Sequence, residues 1–112
     1  MYQEKVVLCG ANAYNQKFYI NEDFDSLPQA IKDELKIMCV LYVQDIGGIL
    51  TLEYDEEGNL CFRTDAESDD FGYDEIGSVL KIRQIQRTKT ELLEALEMYY
   101  RVFFMQGGDH ES

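Results

Sequence analysis

Residues 49–64, ILTLEYDEEGNLCFRT, alternate apolar and polar side chains around a short turn that carries a glycine. Successive residues of a strand point to opposite sides, so Leu50, Leu52 and Tyr54 share one face of the first run and Thr51 and Glu53 the other. In the connecting DEEGN, Gly58 supplies the positive φ that a short hairpin turn requires. An isolated hairpin is at best marginally stable in water, so the remainder of the chain must cover its apolar face.

The rest of the sequence offers the material. Two further runs, KVVLC at 5–9 and KFYIN at 17–21, flank the polar segment GANAYNQ and predict a first hairpin. Ser26 and Gln29 then stand at capping-box spacing with Pro28 in the first turn. Leu27, Ile31, Leu35, Met38, Cys39, Tyr42 and Ile46 follow at three- and four-residue intervals, and Gly47-Gly48 end the helix.

After the second hairpin the pattern is mixed. In DEIGSVLKIRQIQ, 74–86, the residues Ile76, Val79 and Leu80 fall on a different face from Ile82 and Ile85, so helix, strand and kinked helix all stay open, with a break near 80–88. Thr88 and Glu91 form a second capping box that opens ELLEALEMYYRVFF, with Leu92, Leu96, Tyr99 and Phe103 as its stripe. The sum is an α+β domain over residues 1–106 in ββαββα order. It has a four-stranded antiparallel sheet from two hairpins and two main helices, about 27–46 and 89–105, packed on one face, followed by a disordered tail at 107–112.

Charge restricts the partners. The 112 residues hold 22 acids against 10 bases, a net charge of -12, which repels phosphate backbones and anionic membrane surfaces and attracts a basic protein. Cys9, Cys39 and Cys61 sit among apolar residues and read as buried hydrophobes. The chain opens MYQEKVVLCG, with Glu4 and Lys5 where a signal would be apolar, and its longest apolar runs fall well short of the roughly 20 residues that span a bilayer. A reducing cytoplasm is the expected compartment.

Catalytic signatures do not emerge. His110 is the only histidine and lies in the tail, where a general base would lack a fixed position. The sequence has no nucleophile elbow, phosphate-binding loop, dinucleotide fingerprint or HExxH pair. The cysteines lack CxxC spacing. No catalytic residue, cofactor or metal ligand is therefore assigned.

The most charged stretch is FRTDAESDDFGYDE, 62–75, with Asp65, Glu67, Asp69, Asp70, Asp74 and Glu75. Counted as an EF-hand from Asp65, it has Asp70 where the turn glycine belongs and Ile76 where the bidentate glutamate belongs. A solvated loop or a partner-facing surface fits better. From Asp45 to Val79 there are eleven acids and one base, Arg63, whereas Gly77 to Thr90 holds Lys81, Arg83, Arg87 and Lys89 and no acid. Opposite blocks of this kind can dock within the chain or orient two copies.

Two apolar clusters complete the candidate contact surface. IMCVLYV at 37–43 is apolar nearly all round, which puts Val40, Tyr42 and Val43 at a second contact. In YYRVFF, 99–104, a sheet covering only Tyr99 and Phe103 would leave Tyr100 and Phe104 as a ridge. Glu97 and Arg101, four apart, are expected to solvate the opposite side of that helix.

KDELKIMCVLYVQDIGGILTLEYDEEGNLCF together with YDEIGSVLKIRQIQRTKTELLEALEMYYRVFF resembles a family of small acidic proteins of unknown function from clostridial and related gut bacteria, over about residues 17–104. The resemblance implies a bacterial cytoplasmic protein and assigns no site residue. From the residues, the expected role is a noncatalytic protein-interaction or regulatory module, a homodimer or other homo-oligomer, with a basic protein as a further partner. The alternative is a small-molecule or divalent-cation binder, or a weak hydrolase, built on the 65–75 carboxylates with Tyr54 or Tyr73. A third reading is an inhibitor that mimics acidic substrates of a basic enzyme.

Overall fold

The computed structural model describes residues 5–105. The tail expected at 107–112 lies outside them. Strands β1 (Val6–Asn12), β2 (Lys17–Ile20), β3 (Ile49–Tyr54) and β4 (Leu60–Asp65) form one antiparallel sheet in the order β2-β1-β3-β4. Helix α1 (Gln29–Ile46) joins the two hairpins, and α2 (Glu75–Thr88) and α3 (Thr90–Tyr100) follow the sheet. The expected α+β fold and strand pairing are present, with a third helix in the segment left open.

Alternation explains the sheet. Leu50, Leu52 and Tyr54 are fully buried beneath the helices. In β1 a bulge between Val7 and Cys9 alters the pairing with β3, and Leu8 and Cys9 are both fully buried. The other face is polar without being freely hydrated. Glu53 there is only 4% exposed, and its carboxylate meets the Lys5 ammonium at 3.7 Å and the Arg63 guanidinium at 3.3 Å.

The helix ends differ from the sequence expectation in instructive ways. Helix α1 begins at Gln29 with Pro28 as its N-cap, whose ring has no hydrogen-bonding group to offer, and the Ser26 hydroxyl is engaged by the Tyr99 hydroxyl of α3 instead of capping the helix. At the other end Gly47 and Gly48 have φ of 89° and 73°, which only glycine adopts cheaply. The Thr88–Glu91 box does not cap α3 either. Thr88 Oγ1 donates back to Gln84 O at 2.8 Å and Thr90 Oγ1 to Gln86 O at 3.1 Å, a pattern that bends helices, and the break falls on Lys89 at φ -112°.

Beyond Tyr100 the chain winds as one π turn, Arg101–Met105. Tyr54, Tyr100 and Phe104 stack there into an aromatic column, with Phe24 packed along its side against all three rings, and the group closes one end of the core.

Candidate functional site

The apolar residues expected at a contact divide between core and surface. Tyr42 is fully buried, with its hydroxyl on Ser78 Oγ at 2.7 Å and near the Tyr73 hydroxyl at 3.4 Å. Val43 is buried as well, and Val40 is half-buried. Tyr42 and Val43 are thus core residues of this chain: α2 covers Tyr42 through Ser78, a cover the sequence did not specify, and Val43 faces the first hairpin beside Ala11 and Phe18. The exposed pair on α1 is Ile37 and Leu41.

The aromatic ridge is likewise redistributed. Tyr100 lies in the column and is buried, whereas Phe103 is 68% exposed and Phe104 39%. The π turn adds a residue to the helical repeat. It brings Phe104 onto Phe24, with ring centroids 4.7 Å apart, and leaves Phe103 mostly in solvent. Glu97 and Arg101 also do more than solvate. Leu60 N–H donates to Glu97 Oε2 at 2.8 Å and Arg101 donates to Asn59 Oδ1 at 2.8 Å, so together they clamp the β3–β4 turn.

Three carboxylates of the acidic loop are occupied within the chain. Asp65 pairs with Arg63 at 2.9 Å, and the Asp74 side chain caps α2 by accepting from Gly77 N–H at 2.8 Å. Asp70 accepts from the Tyr14 hydroxyl, which in turn accepts from Glu67 N–H at 3.1 Å. The bond to Asp70 pushes the Tyr14 phenol above its ordinary range. This loop is thereby pinned to the β1–β2 turn. Glu67, Asp69 and Glu75 stand exposed. Tyr54, expected beside the loop, lies instead in the aromatic column, and among the described residues no three His, Cys, Asp or Glu side chains converge on one point.

The basic segment splits into two sets. Lys81 reaches Asp45 at 3.3 Å and Lys89 reaches Glu34 at 3.4 Å, fastening α2 to α1. Arg83 and Arg87 are exposed and form no ion pair among the described residues. On that same outward side of α2 stand Ile76, Val79 and Leu80, between 50% and 76% exposed, with Phe71 just before the helix almost wholly in solvent. Spacings of three, four and seven from Ile76 make Val79, Leu80 and Arg83 one stripe. The sequence carries this signal in the two faces of 74–86, where helix, strand and kinked helix are all open; the segment is one continuous helix with Ile85 buried inside and Ile76 outside, and the expected break falls just past it, at Lys89.

Two features lie elsewhere. A cleft of about 570 Å³ opens between α1 and the first hairpin, lined by Ala13, Phe18, Val40 and Val43 with Lys36 and Gln44. Cys9 and Cys39 are fully buried with their sulfurs 4.0 Å apart. Their contact and burial push the Cys9 thiol well above its ordinary range. Cys61, expected in the core, is half-buried instead, because its strand position faces the sheet's polar side opposite Glu53.

No helix among the described residues is long and apolar enough to cross a membrane. Comparison with curated proteins and with solved structures gives no match. The profile of the family of unknown function DUF6145 covers residues 5–108, nearly the whole chain, and the chain belongs to that family.

Proposed function

We propose that this chain is a noncatalytic protein-interaction module that associates with itself through the outer side of its helical layer, in a bacterial cytoplasm. The observation that carries the reading is the outward face of α2, where Ile76, Val79 and Leu80 remain in solvent beside Arg83 and Arg87, which form no ion pair among the described residues. Contiguous exposed apolar side chains mark contact surfaces. Each side chain of this size contributes about 1.5–3 kcal/mol when fully buried. The acidic loop serves selectivity: its three outward carboxylates disfavour acidic partners and favour basic ones.

Sedimentation equilibrium over about 1–300 µM, the range of small transient interfaces, tests the reading. The expected result is a mass that rises with concentration above the 13.0 kDa of one chain. A single-chain mass throughout overturns it.

A second reading, a small-molecule binder, draws on the cleft beside α1, whose volume of about 570 Å³ is within the range of ligand pockets. Lys36 among its lining residues favours an apolar carboxylate. A rise in melting temperature with millimolar octanoate, removed by Lys36→Glu, supports that reading; no rise with octanoate excludes this ligand class.

A further inference from the structure

We infer that two copies of this chain pair through α2, the two helices running antiparallel about a twofold axis that passes beside Val79 and Leu80. The inference rests on the self-association proposed above and specifies its partner and geometry.

Electrostatics selects the surface. A second copy carries the same charge of -12, so two chains repel at long range wherever acids face acids. The approach is eased only where bases are gathered and unspent. Lys17 and Lys36 also form no ion pair among the described residues, but they flank the cleft between α1 and the first hairpin. On α2, Lys81 and Lys89 are spent on Asp45 and Glu34, which leaves Arg83 and Arg87 as its cations without an ion pair among the described residues. They stand on the same stripe as Ile76, Val79 and Leu80, so the attractive charge and the apolar surface coincide.

The distribution of charge along the helix selects the direction. Asp74 and Glu75 lie at the start of α2 and Arg83 and Arg87 in its second half. Two parallel helices would set arginine against arginine and acid against acid. Antiparallel helices set Arg83 beside Ile76 and Glu75 of the second copy, and carry Arg87 toward that copy's Asp69 and Asp70. Opposed helix dipoles favour the same direction. A twofold axis makes the surface self-complementary, with each contact occurring twice. Helix α2 has 14 residues and is therefore about 21 Å long, so the contact is small and the association weak.

Cysteine crosslinking reads the geometry directly. Cys9 and Cys39 are fully buried, so a Cys61→Ser background leaves an introduced thiol as the accessible one. Under mild oxidation Leu80→Cys should form a covalent dimer with itself, because it sits at the axis. Ile76→Cys should not crosslink with itself but should do so when mixed with Arg83→Cys, its counterpart across the axis. Self-crosslinking of Ile76→Cys as fast as that of Leu80→Cys would mean parallel helices and overturn the inference. Variants that still sediment as dimers but crosslink at none of these positions would also overturn it, while leaving the interaction module in place. A Cys61→Ser protein that stays a single chain at every concentration would remove both.

Discussion

The ring of Tyr54, at the end of β3, lies on the ring of Tyr100, at the end of α3, with centroids 4.0 Å apart and 8° between the planes. Phe104 continues the column at 5.1 Å from Tyr100 and 4.7 Å from Phe24. The Tyr54 hydroxyl donates to Leu96 O at 2.9 Å in the buried interior. Ring stacking and this one hydrogen bond tie the C-terminal helix to a central strand, while the Glu97–Leu60 and Arg101–Asn59 bonds tie it to the neighbouring turn. Helix α3 is thus tied to the sheet through its Tyr100 end, and α2 is the helix with three large apolar side chains, Ile76, Val79 and Leu80, on its outer side.

Removing the middle of that column should be among the costliest single changes. Tyr100→Ala takes a buried aromatic ring from between two others, and a loss of roughly 3–5 kcal/mol in urea unfolding is expected. Tyr54→Phe keeps the stack and strips only the donor to Leu96 O, for about 1 kcal/mol. Equal losses for the two variants would show that the hydrogen bond, not the stack, holds the helix down.

Alkali should weaken the fold in two stages. Burial raises the Tyr42 and Tyr54 phenols above their ordinary 10.0, and contact with Cys39 and burial raise the Cys9 thiol above 9.0. Each group is neutral in the folded state at a pH where the unfolded chain has ionised it. The stability it contributes is complete below the unfolded value and is lost as pH rises toward the folded one. The loss begins near pH 9 with Cys9 and steepens past pH 10, where each tyrosine approaches about 1.4 kcal/mol per pH unit. Urea midpoints at pH 8, 9, 10 and 10.5 should fall in that order, Cys9→Ala should shrink the first stage, to which the Cys61 thiol, raised by burial, also contributes, and a flat profile would contradict the burial of these groups.

The two glycines after α1 should not be equivalent. A Cβ on Gly47 meets nothing within 4 Å, so Gly47→Ala suffers only the backbone strain of φ 89°, about 1–3 kcal/mol. A Cβ on Gly48 would stand 2.7 Å from Asp65 O and 2.6 Å from the Tyr73 ring. Gly48→Ala therefore adds a clash with β4 backbone to a similar strain, and its unfolding midpoint should lie below that of Gly47→Ala. The reverse order would mean that the approach of β4 to this turn is loose.

Local chemistry made the strands, the α1 stripe and its glycine stop readable, since alternation, three- and four-residue recurrence and positive-φ residues each act over a few neighbours. Most of the departures are tertiary. Ser26 and Thr88 have the right spacing to cap helices, but Ser26 bonds Tyr99 and Thr88 bonds the helix behind it. Tyr42 and Tyr100 are buried because α2 and the aromatic column cover them, and neither cover can be read from residues nearby. The acidic loop was visible as composition, yet which acids were spent depended on Arg63, Tyr14 and Gly77 meeting them. Arg83 and Arg87 stood out only once Lys81 and Lys89 were seen to be taken.

Charge exchange on α2 separates the proposed pairing from general stickiness. Leu80 is 59% exposed, so Leu80→Glu should leave the single chain's stability within about 0.5 kcal/mol while abolishing association, because an unpaired carboxylate would be desolvated at the axis. Arg83→Glu should weaken association by about tenfold, equivalent to ~1.4 kcal/mol, as a carboxylate then faces Glu75 of the second copy. Adding Glu75→Lys in the same chain reverses both signs, and antiparallel helices then regain the attraction. Sedimentation of the wild type, the two single variants and the charge-reversed double variant reads all of this. A double variant as weak as Arg83→Glu alone would place the arginine away from Glu75 and rule out the antiparallel contact.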